Sequence, residues 1–386
     1  MKRAYLDNAS TTPIRKEVLK VMIDILTHSF GNPSSVQHSY GREARSIIEE
    51  SRIRIAKNIN AYPSEIIFTS GGTEANNMIL RTSVLYLGIK HILTSRLEHP
   101  SVFKTVLDLA TYNKVTVNFI HINEKGIIDL NHMEEILKKN TYNKKLVSLM
   151  YANNEIGNLL EINQVIFLCK KYGAFFHSDT IQIIGNYPID MKKLSIDFAS
   201  ASAHKFHGPK GIGFVFIRKN IQKKIKSIIT GGNQEYGIRS GTENVCGIAG
   251  LSEALQLSCV NLLNHMNKIH NLKFYCISEL KNLIPNIIFN GLSFDSNKSI
   301  PSILNFLYPI KKIDHLLYFH LDLMGVAVSK GNSCNSDAKK VSHVIQYITK
   351  ESFLKKMMPI RVSFSIFNEK KDIDLFVRAL QKIRNC

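Results

Sequence analysis

At 386 residues and 44% hydrophobic content, the chain is long enough to bury a large core and to divide into two domains. No uninterrupted apolar run approaches the length of a membrane helix, and Asp7 and Asn8 arrive before any apolar stretch that would make a secretory signal. The formal charge of +19 is spread through pairs such as Lys138-Lys139, Lys144-Lys145 and Lys192-Lys193. That spread reads as a solvated face in preference to a nucleic-acid surface, with an acidic protein partner or a weak tRNA contact left open. Six cysteines, at positions 169, 246, 259, 276, 334 and 386, form no closely spaced pair. They point to a reducing compartment, so a cytoplasmic location is expected, with neither a disulfide framework nor a metal.

From about residue 60 to 220, short apolar runs alternate with amphipathic stretches of helical period. In chain order the pattern predicts a strand over 65–69, a helix over 73–86, and strands over 91–94, 115–120 and 146–151. A helix over 163–172 closes at Gly173, where a left-handed cap is needed, and strands follow over 174–177, 198–201 and 213–217. The alternation predicts an α/β fold whose large domain is a mainly parallel seven-stranded sheet flanked by crossover helices. After about residue 250 the rhythm changes to one long helix over 252–283, a strand over 302–307, a helix over 313–324 ended by Gly325, and a strand over 326–329. The expected division is a large domain over 14–255 and a smaller α+β domain made of 1–13 and 256–386.

Three segments carry chemistry. Thr69-Ser70-Gly71-Gly72-Thr73-Glu74 takes a strand through two glycines into a helix, where backbone N–H groups and the Thr73 hydroxyl can approach an anion; the same pattern also serves as a plain helix cap. Asp179, in His177-Ser178-Asp179-Thr180-Ile181-Gln182, and Lys205, in Ser202-Ala203-His204-Lys205, both stand where strands open into loops. An acid and a lysine so placed, beside a phosphate cradle, suit pyridoxal phosphate: the lysine forms the Schiff base and the acid keeps the pyridine nitrogen protonated. Cys334 lies in Ser329-Lys330-Gly331-Asn332-Ser333-Cys334-Asn335-Ser336, a polar stretch read as a mobile exposed loop, whereas the other cysteines stand in or beside apolar helical runs.

Those segments, together with Tyr5-Leu6-Asp7-Asn8-Ala9-Ser10-Thr11-Thr12, Phe30-Gly31-Asn32-Pro33-Ser34-Ser35, Glu98-His99, Asn153-Asn154-Glu155-Ile156-Gly157 and Arg239-Ser240-Gly241-Thr242-Glu243-Asn244, run the length of the chain. In them the sequence resembles the class I cysteine desulfurases of the NifS/IscS type, within the fold-type I pyridoxal-phosphate enzymes. The resemblance implies that Lys205 carries the cofactor, Asp179 is the pyridinium partner, and His99 stacks on the ring and assists proton transfer. It further implies that Asn154 and Gln182 bond ring substituents. Gly72, Thr73, Ser202 and His204 would hold the phosphate, with Thr242 supplied by the neighbouring subunit of a homodimer. Arg361, in Ile360-Arg361-Val362-Ser363, resembles the arginine that receives the carboxylate of L-cysteine, with Asn32 assisting; a planar guanidinium suits an amino-acid carboxylate on chemical grounds as well.

By the same resemblance Cys334 is the nucleophile that takes sulfur as a persulfide and passes it to an iron–sulfur scaffold protein and to tRNA-thiolation proteins. Two departures stand out: Asn332-Ser333 where the family commonly has Ser-Ala, and Thr180-Ile181 where it has Ala-Thr. Neither removes a group the chemistry needs. The alternatives are a selenocysteine lyase or aminotransferase on the same cofactor and, outside enzymes, an inactive scaffold or a basic nucleic-acid-binding protein.

Overall fold

The computed structural model describes residues 3–139, 144–310, 316–331 and 341–385. The chain opens with β1 (Ala4–Tyr5), α1 (Lys16–His28) and α2 (Ser39–Asn58) before entering the main sheet. There follow β2 (Ile66–Thr69), α3 (Gly72–Leu87), β3 (His91–Thr94), α4 (Pro100–Asn113), β4 (Thr116–Phe119) and α5 (Leu130–Lys139). The sheet is completed by β5 (Lys145–Ser148), α6 (Ile162–Lys171), β6 (Phe175–Asp179), β7 (Phe198–Ser202) and β8 (Gly213–Ile217).

The seven strands lie in the order β2-β8-β7-β6-β5-β3-β4. Only β8 runs antiparallel to its neighbours, because a short turn joins it to β7 without a crossover helix. Strands β2, β3, β5, β7 and β8 are buried along their whole length, as expected where helices cover both faces of a sheet. Strand β5 ends sooner than the apolar run suggests, yet Leu149 N–H and Tyr151 N–H still donate to His177 O and Asp179 O of β6. Helix α6 stops as expected at Gly173, whose φ of +60° suits glycine.

After α7 (Lys219–Gln222), the expected helix over 252–283 proves to be two: α8 (Val245–Val260) and α9 (Leu262–Leu283), bent by 75° at Asn261. The two halves bury themselves against different partners, α8 against α1 and α2, α9 against the C-terminal helix, so one straight rod could not serve both. No single described helix is long and apolar enough to cross a membrane; α8 and α9 reach that length only as a bent pair.

The remaining elements are β9 (Ile288–Phe289), β10 (Ile303–Pro309), α10 (Leu317–Leu323), β11 (Val326–Ala327), α11 (His343–Ile348), α12 (Glu351–Leu354), β12 (Met357–Ser363) and α13 (Lys370–Asn385). Helix α10 begins later than the predicted 313, and residues 311–315 lie outside the described residues. Strand β10 pairs antiparallel with β9 and β12, while β1 pairs parallel with β11. Ala4 and Leu6 belong to a buried cluster with Leu272, Cys276, Phe306 and Phe376, so the two ends of the chain share one core. The following residues, Asp7 to Ser10, lead from that core to the edge of the main sheet.

Candidate active site

The carboxyl ends of the parallel strands gather the predicted groups at one edge of the sheet. Asp179 ends β6 beside Ser200 of β7, and Lys205 follows β7 in a short helical turn. Asp179 is buried, and its carboxylate accepts from Asn76 Nδ2 at 2.8 Å and from Ile181 N–H at 3.0 Å. The same Asn76 amide donates to Ser101 Oγ at 2.9 Å, and that hydroxyl lies 2.7 Å from His99 Nδ1. Asn76 and Ser101 thus join the acid to the histidine. Ser101 N–H also donates to Nδ1 at 3.1 Å, and a backbone N–H can only donate, so neutral His99 carries its proton on Nε2. Burial first, and then the Lys205 and His343 charges, hold the His99 pKa below its ordinary value against the opposing pull of Asp179.

Lys205 Nζ donates to Ala9 O at 2.6 Å and Ser10 O at 2.8 Å, and Gln182 Nε2 reaches the same Ala9 carbonyl at 3.1 Å. At the amino end of α3, Gly71 has φ of +152°, and a Cβ there would meet Ser202 Oγ at 3.6 Å. A Cβ on Gly72 would fall 2.2 Å from Ile181 Cδ1. The Thr180-Ile181 departure therefore leaves Asp179 intact: Thr180 donates to Ser200 O, and Ile181 packs over the glycine turn. Thr73 is exposed, and His204 Nδ1 lies 3.1 Å from Thr11 Oγ1. Thr242 is also exposed, in a segment anchored to α3 by an Arg239–Glu74 ion pair of 2.9 Å.

Arg361, on β12, is 1% exposed. Its Nη1 donates to Asn154 O and Gly331 O, and its Nη2 to Asp7 Oδ1 at 2.7 Å and Ser10 Oγ at 2.6 Å. Its buried Nε has no partner among the described residues. Asn32 lies elsewhere, exposed in the turn between α1 and α2, where its Oδ1 accepts from Ser34 N–H. Cys334, with Asn332 and Ser333, lies outside the described residues.

Two buried carboxyls flank these groups. Burial raises Glu98 to about 8, although Met150 N–H and the Ser95 hydroxyl donate to it. Glu155 is raised to about 7 by burial, offset by Ser342 and Arg361.

A family model for class-V aminotransferases matches residues 4–376. The cysteine desulfurase IscS of Dictyoglomus turgidum is 39% identical over 391 residues, covering 100% of this chain and 96% of that one. The chain belongs to the class-V aminotransferases, in their NifS/IscS cysteine desulfurase branch. A putative cysteine desulfurase of Bacillus subtilis is 38% identical, with 97% of this chain and 96% of that one covered. Among solved structures, a NifS-like protein superposes with a TM-score of 0.89 at 32% identity over the whole of both chains. One solved in complex with cysteine reaches 0.79 at 27% identity, covering 95% of this chain and all of that one.

The family's cofactor is pyridoxal phosphate, and the residues present suit it. Asp179 has accepting capacity beyond its two donors, Gly71 and Gly72 carry no side chain to bar an anion, and the buried Ser200 hydroxyl and Asn76 carbonyl have no partner among the described residues. Asn76 and Ser101, and likewise Asp7 and Ser10, have no role in the sequence reading. A signal for Asn76 existed: it follows Gly72 by four residues, on the same helical face.

Proposed function

We propose that this chain is a cysteine desulfurase: it takes sulfur from L-cysteine onto Cys334 as a persulfide and releases L-alanine. The observation that carries the reading is the meeting of Lys205, Asp179 and the His99 chain at one sheet edge, joined through residues 7–10 to Arg361. Lys205 and Asp179 would hold the cofactor's reactive carbon and its ring nitrogen, with His99, Asn154 and Gln182 around the ring. Gly72, Thr73, Ser202 and His204 would take the phosphate, with Thr242 of a second subunit. Pyridoxal phosphate, when bound, supplies an electron sink that loosens bonds at the substrate's α-carbon and, from there, the bond to sulfur.

The chain's own residues divide the remaining work. Arg361 meets the substrate carboxylate. Lys205 moves the α-proton once its amine is unprotonated. His99 donates from Nε2; to receive a proton, its Nδ1 must first release the Ser101 N–H. The Cys334 thiolate attacks the substrate sulfur, the carbon–sulfur pair stays with carbon and is protonated, and alanine departs. A homodimer suits the apolar side chains left on α1 and beyond it, where Leu26 is 61% and Phe30 71% exposed. Buried clusters whose fully buried members lie within 18–255, and another drawn from residues 4–6 and 269–380, favour a large domain over 14–255 and a small one over 1–13 and 256–386, with two smaller clusters around Ile183 and Ile345 joining them. An iron–sulfur scaffold protein and tRNA-thiolation proteins are the proposed sulfur recipients, in the cytoplasm.

The test is the mass of cofactor-loaded protein after incubation with L-cysteine. One extra sulfur, absent from Cys334→Ala, is expected together with L-alanine. Equal labelling of the variant removes Cys334 from the role, undiminished alanine from Cys334→Ser favours a lyase, and keto-acid formation favours a transferase.

A further inference from the structure

Residues 7–10 tie together two groups that the reaction proposed above uses separately. Their carbonyls hold Lys205 Nζ, from Ala9 at 2.6 Å and from Ser10 at 2.8 Å. Their side chains hold Arg361: Nη2 donates to Asp7 Oδ1 and to Ser10 Oγ, and the Ser10 hydroxyl in turn donates to Asp7 Oδ1 at 2.9 Å. On the other side of the guanidinium, both Nη1 bonds go to carbonyls, of Asn154 and Gly331. Four of the five guanidinium N–H donors are therefore committed to the protein. The fifth, on Nε, is buried and has no acceptor among the described residues.

An arginine receives a carboxylate bidentately either across its two Nη atoms or along the edge formed by Nε and Nη2. Here the first edge is closed by backbone carbonyls on Nη1, which cannot move without moving the chain at Asn154 and Gly331. On the second edge Nη2 is held by Asp7 and Ser10, and Nε alone lacks an acceptor among the described residues.

We propose that Asp7, assisted by Ser10, is a positioning residue that holds Nη2 of Arg361 and so leaves its Nε–H, and not its Nη pair, to meet the α-carboxylate of the amino-acid substrate. This rests on the reading of Arg361 as the carboxylate receiver. Since the same four residues hold Lys205 through Ala9 and Ser10, they also set the distance between the site's amine and its guanidinium. Removing the Asp7 charge weakens the hold on Nη2 while the carbonyls on Nη1 keep Arg361 in place, so the loss falls on substrate affinity and not on the chemical step.

The experiment measures KM and kcat for L-cysteine, and the dissociation constant of L-alanine from the absorption of the bound cofactor, in Asp7→Asn, Ser10→Ala and Arg361→Ala. Asp7→Asn is expected to raise KM and the alanine dissociation constant together by about tenfold, with kcat held within about twofold, the size of one charge-assisted hydrogen bond. Ser10→Ala, the milder change, is expected to raise both by about threefold on the scale of one neutral hydrogen bond, and it decides the matter should Asp7→Asn fail to fold. Asp7→Asn in the Arg361→Ala background should add nothing further. Unchanged constants in the folded variants, or a fall in KM that marks Asp7 as a competitor of the substrate, overturn the proposal. If Arg361→Ala itself leaves KM and alanine binding unchanged, it is the carboxylate reading of Arg361 that fails.

Discussion

Arg52 and Arg361 are both 1% exposed and both paired with a carboxylate, yet they are built differently. Arg52 has an acceptor on every nitrogen: Glu49 on Nε, Ile66 O and Glu235 on Nη1, and Glu235 again on Nη2. Its guanidinium carbon also sits 4.7 Å from the centre of the Phe68 ring, and Glu235 accepts from Phe68 N–H. Burial works against its charge, but the Glu235 carboxylate more than offsets that and raises its pKa. Arg361 instead spans from β12 to the N-terminal segment and leaves Nε without a described partner. A buried arginine with every donor satisfied is a structural tie. Arg361 keeps one donor without an acceptor among the described residues, which suits it to the carboxylate role proposed for it.

The sharpest way to break that contrast is to remove each guanidinium. Arg52→Ala strands Glu235 in the core and is expected to cost about 3–5 kcal/mol of stability, read from the urea unfolding midpoint. Arg361→Ala takes a donor from the Asn154 and Gly331 carbonyls and from Ser10, but the carboxylate it leaves is Asp7, which is 20% exposed and can be rehydrated. It should cost less stability and lower kcat/KM by about a hundredfold or more, the penalty of losing a buried charged contact. Equal stability losses from the two substitutions would collapse the distinction.

Glu98 extends the comparison to a buried group with no countercharge bonded to it. Its Oε2 is buried without a partner among the described residues, and burial raises its pKa from 4.5 to about 8, so the folded protein keeps a proton that the unfolded chain has released. The stability associated with that neutral carboxyl is complete below pH 4.5 and is lost as the pH rises to 8. Glu98→Gln keeps an oxygen for Ser95 and Met150 but cannot ionise. Its stability relative to the native protein should therefore rise from pH 5 to 9 by on the order of 3 kcal/mol, checked by urea unfolding at both pH values. A difference that stays flat with pH would show that Glu98 titrates alike in both states.

What the sequence disclosed follows from how local each feature is. Strands β3 and β8 carry their own apolar runs, and both match the predicted spans residue for residue. The break at Asn261 stayed hidden because α8 and α9 are each helical in composition, and only their separate packing partners force the bend. Asp179 and Lys205 stood out because each lies at a strand end with a distinctive side chain. Asp7 stands in the N-terminal motif without a task that the motif itself discloses, because its partner Arg361 is 354 residues away and no local pattern announces that pairing. Ser101 is the same case on a smaller scale: a serine at the start of α4 reads as a helix cap until Asn76 is seen to reach it from α3.

Asn76 supplies the finest test, since it acts at the cofactor's side of the site as Asp7 acts at the substrate's. Its amide gives one hydrogen bond to the Asp179 carboxylate and another to Ser101, which sets the His99 ring with Nε2 protonated. Asn76→Ala removes both bonds but leaves Arg361 and its four acceptors untouched. The expected cost in stability is about 1–2 kcal/mol, partly relieved because Ser101 can still meet His99. The kinetic effect should be the mirror of the Arg361 one: kcat lowered by about tenfold as Asp179 and His99 lose alignment, with KM for L-cysteine little changed. Steady-state kinetics on the two single variants and their double would check this, with the losses in kcat/KM adding if the two ends of the site are independent. A rise in KM for Asn76→Ala as large as that for Arg361→Ala would mean that the Asp179 network and the guanidinium respond as one unit, coupled through Lys205 and residues 7–10.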